Sequence, residues 1–80
     1  MTVPTLSVAQ MKPRQSGLVV AIEAGRGMTE RLRAMGLRPG VVVTKTSGQP
    51  LRGPVTLRLG STEIAVGHRL AQRVLVEVET

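Results

Sequence analysis

Several side chains on which enzyme chemistry usually depends are missing from this 80-residue sequence. Without cysteine, the chain cannot form disulfide bonds, thiolate metal sites or a cysteine nucleophile. Without aspartate, a Ser-His-Asp triad cannot form, and only a glutamate variant using the single histidine, His68, stays open. The serines lie at predicted caps or turns, and the glutamates alternate with apolar residues as solvent-facing positions do. We therefore predict that the protein is not an enzyme.

Aromatic residues and long apolar runs are also absent. The core must then be aliphatic, and with 41% hydrophobic residues the composition is typical of a folded chain. No apolar run approaches the ~20 residues of a membrane-spanning helix. The N-terminal residues lack the charged and apolar regions of a signal peptide. We expect one small cytoplasmic domain over residues 1–80, with no membrane span.

Basic residues outnumber acidic ones by eleven to five, which gives a formal net charge of +6. A cationic surface attracts nucleic acids, acidic proteins or anionic lipid headgroups. The basic residues are scattered along the chain, however, and there are no aromatic side chains on which bases could stack. We therefore expect no stable complex with nucleic acid, while acidic proteins and anionic lipids stay open as partners.

A helix is predicted over about residues 28–35, because Met28, Leu32 and Met35 recur at i, i+4 and i+7 and so share one face. This spacing predicts that Met28 and Met35 pack in the core rather than forming a soft metal site. Gly36 is placed to end the helix in the left-handed conformation that glycine accepts. The sequence thus predicts one short helix with a sharp stop.

The residues after the helix predict an abrupt change to a strand. Leu37 is positioned to touch Leu32 across a Schellman cap. Pro39–Gly40 predicts a type II turn, since proline fixes φ and glycine accepts a positive φ. Strand-forming residues begin immediately afterwards, at Val41.

Short segments of alternating apolar residues predict the strands. Leu18, Val20 and Ile22 are predicted to share one face, and Gly60–Ser61 fits a type II′ hairpin turn. The predicted strands cover 18–23, 41–46, 55–59, the segment between Ser61 and Gly67, and 74–78, with Val55, Leu57, Leu59, Ile64, Val66 and the valines of 74–78 inward. Helical turns are predicted over 7–11, capped by Ser7, and near 68–73, and an exposed loop over 47–53.

Five short strands and one helix predict a mainly β fold. Closure into a barrel would remove sheet edges that otherwise pair with other chains. A small SH3-like five-stranded barrel fits the strand count, the loop lengths and the interposed helix. An OB-like barrel is the alternative, because it also places a helix between strands.

His68 is the candidate metal ligand of the chain, since imidazole binds divalent metals and Glu30 or Glu63 could join it. No second histidine exists, and no pair of ligands has a local spacing that would preorganise a site. We therefore predict no metal site and no cofactor, and interpret His68 as a partly exposed residue where a strand ends.

Arginines flank the end of the predicted helix and the turn near 68–73. If these segments pack side by side, a basic rim surrounds an aliphatic groove that suits an acidic or amphipathic partner. An ordinary solvated surface is the alternative interpretation. The candidate partner-binding residues are Arg31, Leu32, Met35, Leu37, Arg38, Arg69 and Arg73.

From Leu6 to Val78 the sequence resembles the FeoA-like family, and the most specific motif is the helix-to-strand junction over residues 35–40. One departure is Arg14, where family members often carry glycine after the proline. The residues that carry the resemblance are Pro13, Gly17, Arg31, Leu32, Met35, Gly36, Leu37, Arg38, Pro39, Gly40, Gly53, Pro54, Val55, Ile64, Ala65, Val66, Ala71, Val74 and Val76.

The resemblance implies an SH3-like barrel that assists bacterial ferrous iron uptake. It implies protein contact with the cytosolic part of FeoB, a membrane permease with a GTP-binding domain, rather than catalysis. Similar domains are also fused to metal-dependent repressors of the DtxR type. A nucleic-acid-binding or metal-responsive regulatory module is therefore the alternative function.

Overall fold

The computed structural model describes residues 4–48 and 53–78, which form one antiparallel sheet and two short helices. Residues 49–52, where part of the exposed loop was predicted, lie outside the described residues. The elements in chain order are β1 Thr5–Ser7, β2 Ser16–Ile22, α1 Arg26–Ala34, β3 Val42–Gly48, β4 Val55–Leu59, β5 Thr62–Val66, α2 His68–Ala71 and β6 Val74–Val78.

The sheet has the strand order β1-β6-β2-β3-β4-β5, so β1 and β5 are its edges within the described part of the chain. Strands β2 to β6 and both helices contribute buried side chains to one aliphatic core. A sheet that encloses a single core on its inner face confirms the mainly β, SH3-like fold. The strand count of five was wrong, because the described chain forms six.

The strand that the sequence did not predict is β1, which directly precedes the helical turn predicted over 7–11. Leu6 pairs with Val76 of β6, so the ladder that makes β1 a strand comes from residues distant in sequence. A tight turn does follow, in which the Gln10 amide donates to the Ser7 carbonyl over 2.9 Å. The Ser7 amide in turn donates to the Gln10 side chain, so Gln10 supplies the local side-chain bond rather than Ser7.

A β-bulge in β2 breaks the predicted common face of Leu18, Val20 and Ile22. Val19 pairs with Val76 but Ala21 pairs with Leu75, so the ladder skips Val20. Val19 is buried, Leu18 and Val20 are exposed, and Ile22 returns to pack against the core. A bulge shifts the inward side by one residue. The period-two pattern therefore holds only on each side of Val20.

The hairpin of β4 and β5 follows its sequence prediction. Leu59 pairs with Thr62 across Gly60–Ser61, and Gly60 has a φ of +62°, as the first position of a type II′ turn requires. The inward residues of β4 and β6 are buried, as the alternation predicts. Ser47 and Gly48, placed in the predicted loop, extend β3 because they pair with β4.

Strand β3 carries the buried lysine of the described chain, Lys45. Its ammonium donates to the carbonyl oxygens of Met11 at 2.6 Å and Ala9 at 3.2 Å, so it fastens the turn after β1 to the sheet. Burial lowers the pKa of Lys45 below its ordinary value of 10.5, since removal from water disfavours the charged form.

Arg14 lies at the neighbouring turn with a φ of +73°, a conformation that L-residues adopt at a cost. Its amide donates to the Lys45 carbonyl, and the Lys45 amide donates to the Gln15 carbonyl. The turn is therefore held in place by β3. A positive φ also explains why glycine suits this position.

Candidate docking groove

Helix α1 contributes one buried residue, Leu32, to the core. The helix ends as the sequence predicts. Gly36, with a φ of +96°, donates to the Arg33 carbonyl, and Leu37 donates to the Leu32 carbonyl over 2.8 Å. These two bonds define a Schellman motif, and Leu32 and Leu37 are both buried beneath it. Helix α1 begins at Arg26 and ends at Ala34, within two residues of the predicted bounds.

The prediction that Met28 and Met35 pack in the core is wrong. Both lie on the same side of α1 as Leu32, but their side chains are 38% and 45% exposed, whereas Leu32 is 1% exposed. A nine-residue helix at the edge of a small core inserts its central apolar residue and leaves those a turn away uncovered. The periodicity predicts that the three residues share a face, but it does not predict how much of that face the rest of the protein covers.

The two exposed methionines line a groove between α1, the end of β5 and α2. The groove has a volume of about 440 Å³. We call it the methionine groove. It is lined mainly by Met28 and Leu32 of α1, Met35 directly after α1, Ala65 and Gly67 at the end of β5, and Leu70 of α2.

Basic side chains lie at this groove. Arg31 is one of its lining residues, and an adjoining hollow beside Met28 is lined by Arg69 and His68. No carboxylate of the described residues lines either hollow. Residues of α1 and α2 line both hollows, so the two arginine-bearing segments lie near one another.

The other candidate partner-binding residues lie elsewhere. Leu37 is fully buried under the end of α1, where it supports the helix from below. Arg38 is exposed in the turn that leads to β3. Arg73 lies after α2 and donates from its guanidinium to the Glu23 carbonyl over 3.2 Å.

Ala65, Gly67 and Leu70 complete the groove, although none of them was predicted to belong to it. Ala65 is an exposed, outward-facing residue of β5. No local sequence pattern indicates that an outward residue of β5 lies near a helix more than thirty positions earlier in the chain. Leu70 follows Arg69 but precedes the apolar Ala71, so no alternation of polar and apolar residues marks it in the sequence.

His68 lies at the first position of α2, and its Nε2 is 3.2 Å from Nε2 of Gln72. Across residues 4–48 and 53–78, no group of three or more His, Asp or Glu side chains could hold a metal ion. Glu63, one of the suggested co-ligands, instead bonds Arg58 across the β4–β5 hairpin at 3.1 Å. Within the described residues, His68, Glu30 and Glu63 are therefore not brought together as a ligand cluster.

A second exposed apolar patch lies on the outer face of the sheet. Leu18 and Val42 are directly paired on β2 and β3, and Val42 is 58% exposed. We call these two residues the outer patch. Glu77 is the partner of Leu18 on β6, so this patch, unlike the groove, has a carboxylate beside it.

The described elements thus define a small SH3-like module with an apolar groove on its surface. Within the part of the chain that the structure describes, no helix is both long and apolar enough to cross a membrane. The model of the FeoA domain matches residues 6–78, and the chain therefore belongs to the FeoA family. No curated protein sequence matches the chain significantly.

Solved structures resemble the chain closely. A crystal structure of an iron uptake regulatory protein, FeoA, is 32% identical, with a TM-score of 0.87 over 95% of this chain and 100% of that chain. A zinc complex of FeoA from Stenotrophomonas maltophilia is 25% identical, with a TM-score of 0.71 over 90% of this chain and 89% of that one. It is described as a prokaryotic SH3 domain protein.

A manganese-dependent transcriptional repressor has the same fold. It is 16% identical, with a TM-score of 0.84 over 99% of this chain but only 44% of the repressor. At this identity the likeness concerns the fold alone. It shows that the same small fold also occurs as part of a longer chain.

Proposed function

We propose that the protein is a cytoplasmic accessory of bacterial ferrous iron uptake that acts by contact with the cytosolic part of a FeoB-like permease. Membership of the FeoA family supports the iron transport role. Support also comes from the FeoA of Stenotrophomonas maltophilia, which has been suggested as a ferrous iron transport activating factor. The observation that carries the mode of action is the methionine groove, an apolar concavity with arginines beside it.

The chemistry of the described side chains favours contact over catalysis. The ammonium of Lys45 is occupied by two backbone carbonyls, and His68 has an amide neighbour rather than a carboxylate. A nucleophile requires an adjacent base that is itself oriented by a third group. The proposal therefore assigns this chain no reacting residue and no metal ligand, and treats ferrous iron as cargo of the permease.

Direct binding tests the proposal. The purified protein should bind the isolated cytosolic part of the permease at low salt, with nucleotide varied, and deletion of its gene should impair ferrous iron uptake. A second arm measures retention on DNA and RNA at low ionic strength. Absence of permease binding under every nucleotide condition would contradict the proposal. Salt-sensitive binding to nucleic acid instead would favour the regulatory alternative.

A further inference from the structure

The methionine groove combines three properties that point to one kind of occupant. Its wall on α1 carries two large exposed apolar side chains, Met28 and Met35, two helical turns apart. Its floor is apolar, since Leu32 and Ala65 contribute to it. Methionine side chains are flexible and polarisable, and they are common on surfaces that accept apolar side chains of a partner.

The charge beside the groove has one sign. Arg31 lines the groove and Arg69 lines the adjoining hollow, while the nearby acidic residues are directed elsewhere. Glu30 lies in a separate hollow together with Arg26, and Glu63 bonds Arg58. Carboxylates of a partner would therefore meet arginines at this surface without competition from an acidic side chain of the same wall.

The groove has the dimensions of a short helix contact. Met28 and Met35 are seven residues apart on α1, which corresponds to about 10 Å along the helix axis. Apolar residues at i, i+3 or i+4, and i+7 of a partner helix span the same distance. Two or three such side chains could lie side by side along the groove.

We propose that the methionine groove binds a short amphipathic helix of a partner protein, with its apolar side chains on Met28, Met35 and Leu70 and its carboxylates facing Arg31 and Arg69. The proposal rests on the proposed function, because it names the surface and the chemistry of that protein contact. A second copy of this chain and an anionic membrane are the competing occupants.

Two model peptides test the recognition chemistry directly. One is an amphipathic helix with leucine on one face and glutamate on the other, and its counterpart carries lysine in place of glutamate. Amide chemical shifts of the wild-type protein are followed as each peptide is added at low salt. The glutamate peptide should shift the signals of Met28, Met35, Ala65 and Leu70, and the lysine peptide should bind at least about tenfold more weakly.

Matched variants then test which side chains are responsible. Met28→Gln combined with Met35→Gln, and separately Arg31→Glu, should each weaken glutamate-peptide binding about tenfold. The controls are Val42→Thr in the outer patch and Arg33→Glu, which changes the same charge on the same helix but in the hollow of Glu30. Both controls should stay within about twofold of wild type, and amide spectra verify that every variant is folded.

The outcomes separate this proposal from the proposed function. If the permease part binds but the groove variants bind it as well as the controls do, the groove assignment is wrong and the proposed function stands. If the peptide discriminates as expected but the permease part does not bind, the groove assignment stands and its permease partner is wrong. Peptide shifts confined to Leu18 and Val42 would overturn the proposal. Equal binding of both peptides, groove shifts that depend on protein concentration alone, or tighter binding to anionic vesicles would do the same.

Discussion

The inner face of the sheet and the apolar side of α1 are both aliphatic, yet they are covered to very different degrees. Val74, Val76 and Val78 follow one another along β6 and are each at most 2% exposed. On α1, Leu32 is buried to the same degree, but Met28 and Met35 on either side of it are not. The sheet encloses its own apolar face, whereas the helix buries only the middle of its own.

This difference indicates two distinct uses of apolar residues in a small protein. Inward residues of a curled sheet cover one another, because neighbouring strands complete the enclosure. Residues at either end of a short helix face have no such neighbours. Their uncovered area is available to another molecule, so substitutions in the two regions should affect different properties.

The largest expected effect is loss of the one α1 side chain that belongs to the interior. Leu32→Ala should destabilise the protein by about 2–5 kcal/mol, because it removes buried methyl groups and leaves a cavity. Urea unfolding measures the loss, with Leu32→Ile as a milder variant if the alanine variant does not fold. A loss below about 1 kcal/mol would mean that α1 is not anchored through Leu32.

Substitution of Lys45 tests whether a buried polar contact contributes as much to the free energy of unfolding as apolar burial does. Lys45→Met should cost about 1–3 kcal/mol, because the carbonyls of Ala9 and Met11 lose their ammonium donor. The exposed Lys12→Met is the control, with an expected change within about 0.5 kcal/mol. An equal effect at both lysines would contradict the bonding role of Lys45.

The lowered pKa of Lys45 also predicts how the free energy of unfolding depends on pH. Between its folded pKa and the ordinary value of 10.5, the unfolded chain binds the proton more readily than the folded one. The contribution of this group to stability should therefore rise with pH over that window. The difference in unfolding free energy between wild type and Lys45→Met, followed up to pH 10.5, should show this rise.

At the end of α1, substitution of Gly36 tests how backbone conformation affects stability when burial does not change. A Cβ there would meet open space, but the φ of +96° is unfavourable for an L-residue. Gly36→Ala should therefore cost about 1–2 kcal/mol. Gly27→Ala, also in open space but inside the helix, should instead stabilise by about 0.5–1 kcal/mol. Chemical denaturation of both variants gives the two signs, and equal signs would refute the argument.

Arg14 offers a smaller effect in the stabilising direction, at a residue that is exposed. Arg14→Gly should relieve the positive φ, and after the greater freedom of glycine in the unfolded chain is counted, a net gain of about 0.5–1 kcal/mol is expected. Arg14→Ala removes the charge but keeps the strain, so it should give no gain. Thermal melting of the two variants distinguishes conformation from charge.

The smallest effect on stability should come from the exposed helix residues. Met28→Gln combined with Met35→Gln should change the free energy of unfolding by about 0.5 kcal/mol or less, because glutamine keeps length and helix propensity. Denaturation alongside Leu32→Ala measures the contrast. A loss comparable to that of Leu32→Ala would show that the methionines belong to the core after all.

Sequence reasoning predicted those parts of the fold that local rules govern. The helix stop at Gly36, the turn at Gly60 and the inward valines of β6 follow from backbone conformation and periodicity within a few residues. Strand β1 and the bulge at Val20 could not be predicted, since both are defined by pairing with β6. The same holds for the groove, because Ala65 and Leu70 reach α1 only through the fold.

By itself, the sequence determined an aliphatic β fold with one sharply ended helix, a cationic surface and no thiol or aspartate chemistry. These properties depend on composition and on residues a few positions apart. Only the tertiary structure decided that Leu32 is buried while Met28 and Met35 are exposed, and that Lys45 lies inside the protein. A side chain is buried when residues distant in the chain pack against it, and no local sequence pattern specifies which residues those are.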